Sequence, residues 1–364
     1  MQVKVGRSKN QNIMAALDEA FEGVNYPSFL LIQAPYGTLE TIAQYLANRF
    51  PGVQNLCTSG TTYNNESASD QELDVVAFGS DAKVAAGALE GLSLAPLKNI
   101  DQLDGALNFV QPGKDDTVCL EYCTNDEEVT ITSLNVALEK RGVPLVGGTV
   151  FGAPEGQTSY VMVNGRIYSD ACGFVVIKNL SGKIRTYSEN IYRPSATAPS
   201  HIATKVNLAN KELISLDGRP AADVYSEDTG LSKSEIIDNV LKQPLGRVVG
   251  DKCYISSMHD MGANGSLINY KRINENDTIS VLELGDFRSI NQETFQRIKG
   301  DFPKASFIFS VNCIYRHLLF TNENYLNEFI CGLGQIGPHV GYVGGGEQYG
   351  KQHVNQTMVC AVFE

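Results

Sequence analysis

The feature that most constrains the fold is a hairpin signal in the first half of the chain. Asn164-Gly165 interrupts the β-rich run TSYVMVNGRIYSDACGFVVI, from Thr158 to Ile177. Asn-Gly readily adopts the left-handed conformations that a two-residue hairpin turn needs. The signal predicts antiparallel pairing, so a purely parallel dinucleotide-binding sheet fits this chain poorly.

Helix and strand signals alternate around this hairpin. Asn125 and Glu128 have the spacing of a capping box, and Gly142 with Pro144 should end the helix that follows. Further helices are predicted at Thr38 to Phe50, in SKSEIIDNVLKQ after Leu231, at Ser289 to Lys299 and at Asn322 to Gly332. Strands are predicted at Asp74 to Phe78, Thr117 to Tyr122, Gly250 to Ser256, Thr278 to Leu284, Ala305 to Ser310 and Thr357 to Phe363. The chain should be α/β (α+β), with mixed sheets and hairpins flanked by helices.

Length and composition predict two domains. The chain has 364 residues, of which 43% are hydrophobic, more than one typical core needs. The segment from Tyr192 to Glu212 contains two prolines and many small polar residues, and it separates halves of similar size. We place the boundary there, which gives modules of residues 1–196 and 197–364.

Charge and cysteine usage exclude several classes of function. The net charge of -12 argues against nucleic acid or an anionic membrane as the main partner. Neither a signal peptide nor a bilayer-spanning apolar run is recognisable, so a cytoplasmic location is expected. The eight cysteines form no CxxC pair, and we expect them to be reduced and largely buried.

Two clusters in the last third combine polar groups with apolar runs and predict a ligand pocket. They are VNCIYRHLLF, from Val311 to Phe320, and GGGEQYGKQHVNQTMV, from Gly344 to Val359. The predicted ligand-binding residues are Cys313, Arg316, Glu347, Asn355 and Gln356.

Arg316 offers a planar fork of donors for a carboxylate, and Glu347 could hold an ammonium group. Together they would form the clamp that an amino acid requires. The alternative is a structural salt bridge between these two side chains. The amides of Asn355 and Gln356 could likewise satisfy backbone groups instead of a ligand.

Pairing of Cys313 with His317 or His353 would resemble a thiolate nucleophile. No cysteine-protease signature or G-x-S-x-G motif supports such chemistry, so we predict no enzymatic activity.

Several motifs in order resemble the FIST sensory family. They are PLVGGTVFG, VNGRIYSDACGFVV, LDGRPAADVY, NCIYR and the closing GGGEQYG-to-NQT stretch. The resemblance extends from about Tyr26 to Glu364 and implies an N-terminal module, residues 1–196, followed by a C-terminal ligand-sensing module, residues 197–364.

That resemblance implies a bacterial intracellular sensor in signal transduction, with an amino acid as the possible ligand. No kinase, cyclase or chemoreceptor segment is recognisable, so a separate partner such as a histidine kinase of a two-component system would carry the output. One branch of the family resembles haem-based nitric-oxide sensors that regulate a kinase, so the resemblance implies haem as a second possible ligand. Five histidines could supply the axial imidazole. His317 and His353 are the candidates within the two clusters, although Cys and Tyr can also bind haem iron. A scaffold that senses nothing is the remaining alternative. The sequence determines neither the cofactor nor the oligomeric state.

Overall fold

The computed structural model describes residues 1–250 and 252–364. Its α-helices are α1 (Ile13–Ala20), α2 (Leu39–Arg49), α3 (Ile100–Val110), α4 (Glu127–Arg141), α5 (Ala221–Thr229), α6 (Phe287–Asp301), α7 (Ile314–Asn322) and α8 (Leu326–Gly334).

The strands of the first half are β1 (Val3–Ser8), β2 (Phe29–Ala34), β3 (Gln54–Ser59), β4 (Thr62–Tyr63), β5 (Ala68–Ser69), β6 (Leu73–Phe78), β7 (Ala82–Glu90), β8 (Thr117–Cys123), β9 (Leu145–Thr149), β10 (Val161–Val163), β11 (Arg166–Tyr168), β12 (Ala171–Asn179) and β13 (Ile184–Asn190). Those of the second half are β14 (Tyr192–Pro194), β15 (Ser200–Asn207), β16 (Glu212–Leu216), β17 (Arg219–Pro220), β18 (Leu245–Val249), β19 (Lys252–Ser256), β20 (Met258–Met261), β21 (Leu267–Asn269), β22 (Thr278–Leu284), β23 (Phe307–Cys313), β24 (His339–Gly344), β25 (Glu347–Tyr349), β26 (Gln352–Val354) and β27 (Thr357–Phe363).

The chain forms two compact units that interleave along the sequence. The first unit comprises residues 1–188, 293–353 and 358–364, and the second comprises residues 189–292 and 354–357. The predicted boundary between residues 196 and 197 refers to the two family modules, and it stays a prediction. The compact units divide elsewhere because the chain returns to the sheets of the first unit after residue 292.

The first unit is built on three six-stranded sheets. In the first sheet the strand order is β1-β6-β2-β3-β10-β11, in the second β26-β25-β9-β8-β12-β7, and in the third β13-β27-β23-β24-β4-β5. Each sheet contains one parallel pair joined by a helical crossover: β2 with β3, β8 with β9, and β23 with β24. Antiparallel strands flank each pair, so the predicted mixed α/β class is confirmed.

Aromatic side chains pack the inner faces of these sheets against one another. Phe78 of the first sheet meets Phe307 of the third edge-on, with ring centroids 5.7 Å apart. Tyr122 of the second sheet meets Phe309 of the third at 6.0 Å, and the Gln33 amide donates to the Tyr122 hydroxyl at 2.9 Å. Burial of each such ring contributes roughly 1.5 to 3 kcal/mol. Apolar clusters under α1 and α2, and under α3 and α4, cover the outer faces of the first two sheets.

The second unit is a nine-stranded sheet with α5. Its main order is β19-β18-β22-β15-β16-β21-β20, with β14 added to β22 and β17 to β16. Asp217 and Gly218 form the tight turn between β16 and β17, with φ of 49° and 78°. The positive φ suits glycine at position 218, and α5 begins directly after Pro220.

The local signals that bear on backbone conformation are largely confirmed. Strand β10 pairs with β11 through Asn164 and Gly165, whose φ values are 51° and 77°. Gly142 ends α4 in the left-handed conformation. All eight cysteines are free, and only Cys253 and Cys331 are partly exposed.

The helix predicted in SKSEIIDNVLKQ is wrong beyond its first turn. Ser232 and Glu235 form a capping box, but only a 3₁₀ turn, Lys233–Glu235, follows. The Tyr225 hydroxyl donates to the Gln243 carbonyl at 2.6 Å, and the Leu284 N–H donates to the Lys242 carbonyl at 3.1 Å. These tertiary bonds satisfy carbonyls at the end of the segment that have no partner within it.

Within the cluster from Val311 to Phe320, β23 ends at Cys313 and α7 follows, so Arg316 and His317 lie in a helix. The helical spacing of α7 places Arg316, Leu319 and Phe320 on one buried face. The segment 192–212, where we placed the domain boundary, contains β14 and β15, both paired with β22. Within the described residues, no helix is long and apolar enough to span a bilayer.

Candidate functional site

The carboxyl ends of the three parallel pairs meet in the first unit. The Tyr342 hydroxyl, on β24, donates to the carbonyl of Thr149 at the end of β9 and accepts the Phe151 N–H at 2.8 Å. The Val343 N–H donates to the Thr61 carbonyl, after β3, at 2.9 Å. Ligands of α/β folds bind beyond the carboxyl ends of parallel strands, so this junction is where a site is expected.

Glycine is required where these strand ends touch. Gly60 has a φ of 146°, and a Cβ there would lie 2.2 Å from the Phe151 carbonyl oxygen. Gly152 has a φ of 106°, and its Cβ would lie 3.0 Å from the Gly60 Cα. Since L side chains rarely adopt these conformations, a substitution at either position would push the strand ends apart.

A buried group of polar side chains lies on the helix-covered face of the second sheet, next to this junction. We call it the α4 polar cluster, and its members are Glu121, Cys123, Glu127, Thr149, Gln348 and His353.

Hydrogen bonds connect the cluster from β9 to α4. The Gln348 amide nitrogen lies 3.3 Å from Thr149 Oγ1 and 3.3 Å from His353 Nδ1. With the amide in this orientation, His353 Nδ1 accepts and the ring proton lies on Nε2. That nitrogen is 3.7 Å from Glu127 Oε1 in the first turn of α4. The Cys123 thiol faces the Thr149 hydroxyl at 3.7 Å.

The Gln348 carbonyl oxygen is the open position in this network. Gln348 is fully buried, and its Oε1 accepts no hydrogen bond from any residue in the described ranges 1–250 and 252–364. Leaving a buried acceptor unsatisfied costs about 1 to 3 kcal/mol. A donor from a bound molecule would remove that penalty.

Glu121 adds a second buried acceptor in the middle of β8. Its Oε2 accepts the Cys172 thiol at 3.4 Å, while Oε1 has no hydrogen-bond partner within the described part of the chain. Burial raises the pKa of Glu121 to about 8, so this carboxyl is neutral at physiological pH. The side chain occupies the space above Gly147, where a Cβ would lie 2.2 Å from Oε1.

The amino terminus of α4 faces the same end of the sheet. Asp126, the residue before the helix, is left-handed with φ 49°, and its carboxylate accepts the Asn125 amide at 2.9 Å. Among the described residues, its side chain forms no cap to the helix. The capping box predicted for this helix is therefore wrong, because the left-handed Asp126 takes the cap position. The partial positive charge of the helix terminus favours a bound carboxylate.

Two of the residues predicted to bind ligand, Cys313 and Arg316, lie outside this cluster. They belong to β23 of the third sheet and to helix α7, which follows it. Arg316 is fully buried in α7, with its guanidinium 4.6 Å from the Phe320 ring centroid and 5.0 Å from that of Phe329. Cys313 is buried at the end of β23. The two rings give Arg316 the environment of a core residue. Its role in binding stays a prediction.

Glu347 and the two predicted amides lie in different parts of the chain. Glu347 is buried in β25 opposite Gly148 of β9. Asn355 and Gln356 belong to the second unit, where both are buried. Gln356 donates to the Tyr192 hydroxyl and to the Val240 carbonyl, and its oxygen accepts from Ser257 at 2.8 Å. Both donors of the Gln356 amide are thus used within the protein, as the structural alternative predicts.

The rings of the two candidate haem ligands contact neighbouring side chains. The His317 ring stacks on Tyr63 at 5.7 Å, and its Nδ1 is 2.7 Å from the Tyr63 hydroxyl. Both ring nitrogens of His353 face the side chains of Gln348 and Glu127. Haem would have to displace one of those two side chains to reach His353, and the haem role of both histidines stays a prediction. Among the described residues, no group of histidine, cysteine and acidic side chains is arranged to hold a metal ion.

The sequence contained signals for the residues that were missed. Glu121 is a lone carboxylate in the apolar strand TVCLEYC, and Gln348 follows Glu347 within the glycine-rich run already singled out. Alternation along a strand puts Glu347 and Gln348 on opposite faces. Gln348, and not the predicted Glu347, therefore lies on the face of the sheet that carries the α4 polar cluster.

The sheets with buried polar groups at their carboxyl ends define an α/β protein suited to binding a small molecule. The FIST N domain matches residues 29–219 and the FIST C domain matches residues 221–350. The chain therefore belongs to the FIST family, whose domains sense small ligands in signal transduction. None of the curated proteins matches this chain.

Proposed function

We propose that this protein is a cytoplasmic amino-acid sensor whose ligand binds at the α4 polar cluster and whose output passes through a separate histidine kinase. The observation that supports it is the buried Gln348 Oε1, which lacks a donor within the described residues. A sensor needs such an open position, because the ligand must supply contacts that the free protein lacks. A scaffold would have no use for it.

The chemistry of the cluster suits an amino acid. The ligand's ammonium group donates to Gln348 Oε1 and pairs with the Glu127 carboxylate, which His353 orients from 3.7 Å. The ligand's carboxylate lies toward the amino terminus of α4, where the helix dipole stabilises it. Glu127 is mostly buried, so its attraction to the ammonium group is screened less than at the surface. No catalytic step is assigned to these groups.

Calorimetric titration of the purified protein with each of the common amino acids tests this assignment. The parent should bind at least one of them, and Gln348→Leu should weaken binding by about tenfold or more because one charge-assisted hydrogen bond is lost. Gln157→Leu, at an exposed position, is the matched control. The corresponding amine and the corresponding carboxylic acid should each bind more weakly than the amino acid.

Gln348→Glu keeps the volume and the acceptor, so retained binding in that variant would show that a loss in Gln348→Leu does not reflect misfolding. Equal binding by the parent and Gln348→Leu would refute the site. Binding of no amino acid by the parent would refute the ligand class.

The output is tested with a purified histidine kinase from the same cell. The bound amino acid should change the kinase's autophosphorylation rate only when this protein is present, and Gln348→Leu should abolish the change. An effect of the amino acid on the kinase alone would reject the role proposed here. Addition of haemin should give no stoichiometric Soret band, since both ring nitrogens of His353 face protein side chains and the His317 ring is held by Tyr63 through Nδ1.

A further inference from the structure

A cavity of about 640 Å³ lies at the opposite edge of the second sheet. Thr117, which begins β8, and Pro144, which precedes β9, line it. Strand β8 runs from Thr117 to Cys123, so at about 3.3 Å per residue Thr117 is roughly 13 Å from Glu121 and roughly 20 Å from Cys123 of the α4 polar cluster. All its lining residues belong to the first compact unit.

One wall of this cavity contains an ion pair that is already complete. Arg185 Nη1 of β13 lies 2.7 Å from Asp301 Oδ1 of α6, and the Tyr187 hydroxyl donates to Asp301 Oδ2 at 2.7 Å. Both oxygens of Asp301 are thus engaged. The hydrogen bond from Tyr187 and the nearby Arg185 guanidinium lower the pKa of Asp301, so it is ionised at neutral pH.

Arg297 lines the same cavity without such a partner. Its guanidinium lies 5.3 Å from the Tyr187 ring centroid, and it makes no ion pair with any residue of the described ranges. Stacking on the ring fixes the plane of the guanidinium while leaving its N–H edge open. The remaining charged group on the lining is the carboxylate of Asp115, in the exposed loop before β8.

We propose that this cavity is a second ligand site, which binds a small oxyanion, a carboxylate or a phosphate group, through Arg297. The guanidinium fork matches two oxygens of either group. Arg185 adds positive potential, but Asp301 neutralises it, so Arg297 makes the direct contact. This site does not depend on the amino-acid site proposed above, because the two share no residue.

Titration of the full-length protein with inorganic phosphate and with succinate, at low ionic strength, tests the proposal. Arg297→Gln should weaken binding of the preferred anion by about tenfold or more. Asp301→Asn should strengthen it by about threefold, because the charge of Arg185 is then no longer neutralised. Comparing the two probes distinguishes a phosphate ligand from a carboxylate ligand.

Arg166→Gln is the matched control, since Arg166 also stacks on a tyrosine, at 4.8 Å from the Tyr168 ring centroid, but lies outside the cavity. It should bind as the parent does. The proposal is overturned if neither anion binds the parent, or if Arg297→Gln and Arg166→Gln bind equally well. Gln348→Leu should leave anion binding unchanged, which separates a failure here from a failure of the amino-acid site.

Discussion

The buried carboxyl of Glu121 should make the protein's stability depend on pH in a way that one substitution removes. Glu121 is fully buried in β8, and burial raises its pKa from the ordinary value of a glutamate to about 8. Glu121→Gln keeps the shape of the side chain and abolishes the titration. The variant therefore isolates the contribution of this proton.

The sign follows from the proton balance. Between the two pKa values the folded state holds a proton that the unfolded chain has released, so the free energy of unfolding falls as pH rises through this range. The slope from one such group is about 1.4 kcal/mol per pH unit. Between about pH 6 and pH 7.5 the parent should lose roughly 2 kcal/mol relative to Glu121→Gln. Above the folded pKa the difference should stop growing.

Urea denaturation of both proteins at these two pH values measures the effect. Glu155→Gln, which removes an exposed carboxylate, controls for the change in net charge and should follow the parent at both pH values. Other titrating groups cancel when the parent and the variant are compared at the same pH. A difference between parent and Glu121→Gln that is the same at both pH values would refute the argument and imply that Glu121 is ionised in the fold.

Two further substitutions test electrostatics elsewhere in the molecule. Burial acts to lower the pKa of His201, but hydrogen bonds to Asp217 at 2.7 Å and Asp228 at 2.9 Å outweigh it and raise the pKa. His201→Gln should therefore destabilise the protein near pH 5.5 by about 1 kcal/mol more than near pH 9 in thermal unfolding, and an equal loss at both would contradict the ion pairs. Arg316→Ala should lower the free energy of unfolding by about 3 kcal/mol, because it removes a side chain packed between two rings. Unchanged urea stability in that variant would instead favour the ligand role first assigned to Arg316.

The fold class could be predicted from the sequence because most of the local signals agree with the tertiary structure. The hairpin at Asn164-Gly165 and the left-handed glycine at Gly142 require only local backbone chemistry. The helix after Ser232 was wrong because its capping box forms but only one 3₁₀ turn follows, so the local start signal did not determine the length of the helix. The interleaving of the two units was also beyond prediction, since hydrophobic pattern does not reveal which sheet a strand joins.

The candidate site could be predicted only in its neighbourhood. The glycine-rich run after β24 was predicted to be a polar segment beside buried strands, and it contains Gln348 and His353. Its partners Thr149 and Glu127 come from a different crossover, so no spacing in the sequence connects them. Arg316 is a lone cation among apolar residues, and this pattern predicted a ligand contact. The same pattern fits a core position between aromatic rings equally well.

The polar groups near the carboxyl ends of the three parallel pairs differ in how far they satisfy one another. This difference supports placing the proposed ligand at the second sheet. At the first sheet, the Thr62 hydroxyl lies 2.6 Å from Asp74 Oδ2 and 2.8 Å from Gln33 Oε1, so the polar groups there satisfy one another. At the third, Arg316 is enclosed by the rings of α7 and α8. At the second, Gln348 offers an open acceptor beside a helix amino terminus that Asp126 leaves uncapped, within the described residues. A ligand bound there would satisfy groups of both charges with little rearrangement of the sheets, since their ends are already joined through the Tyr342 hydroxyl.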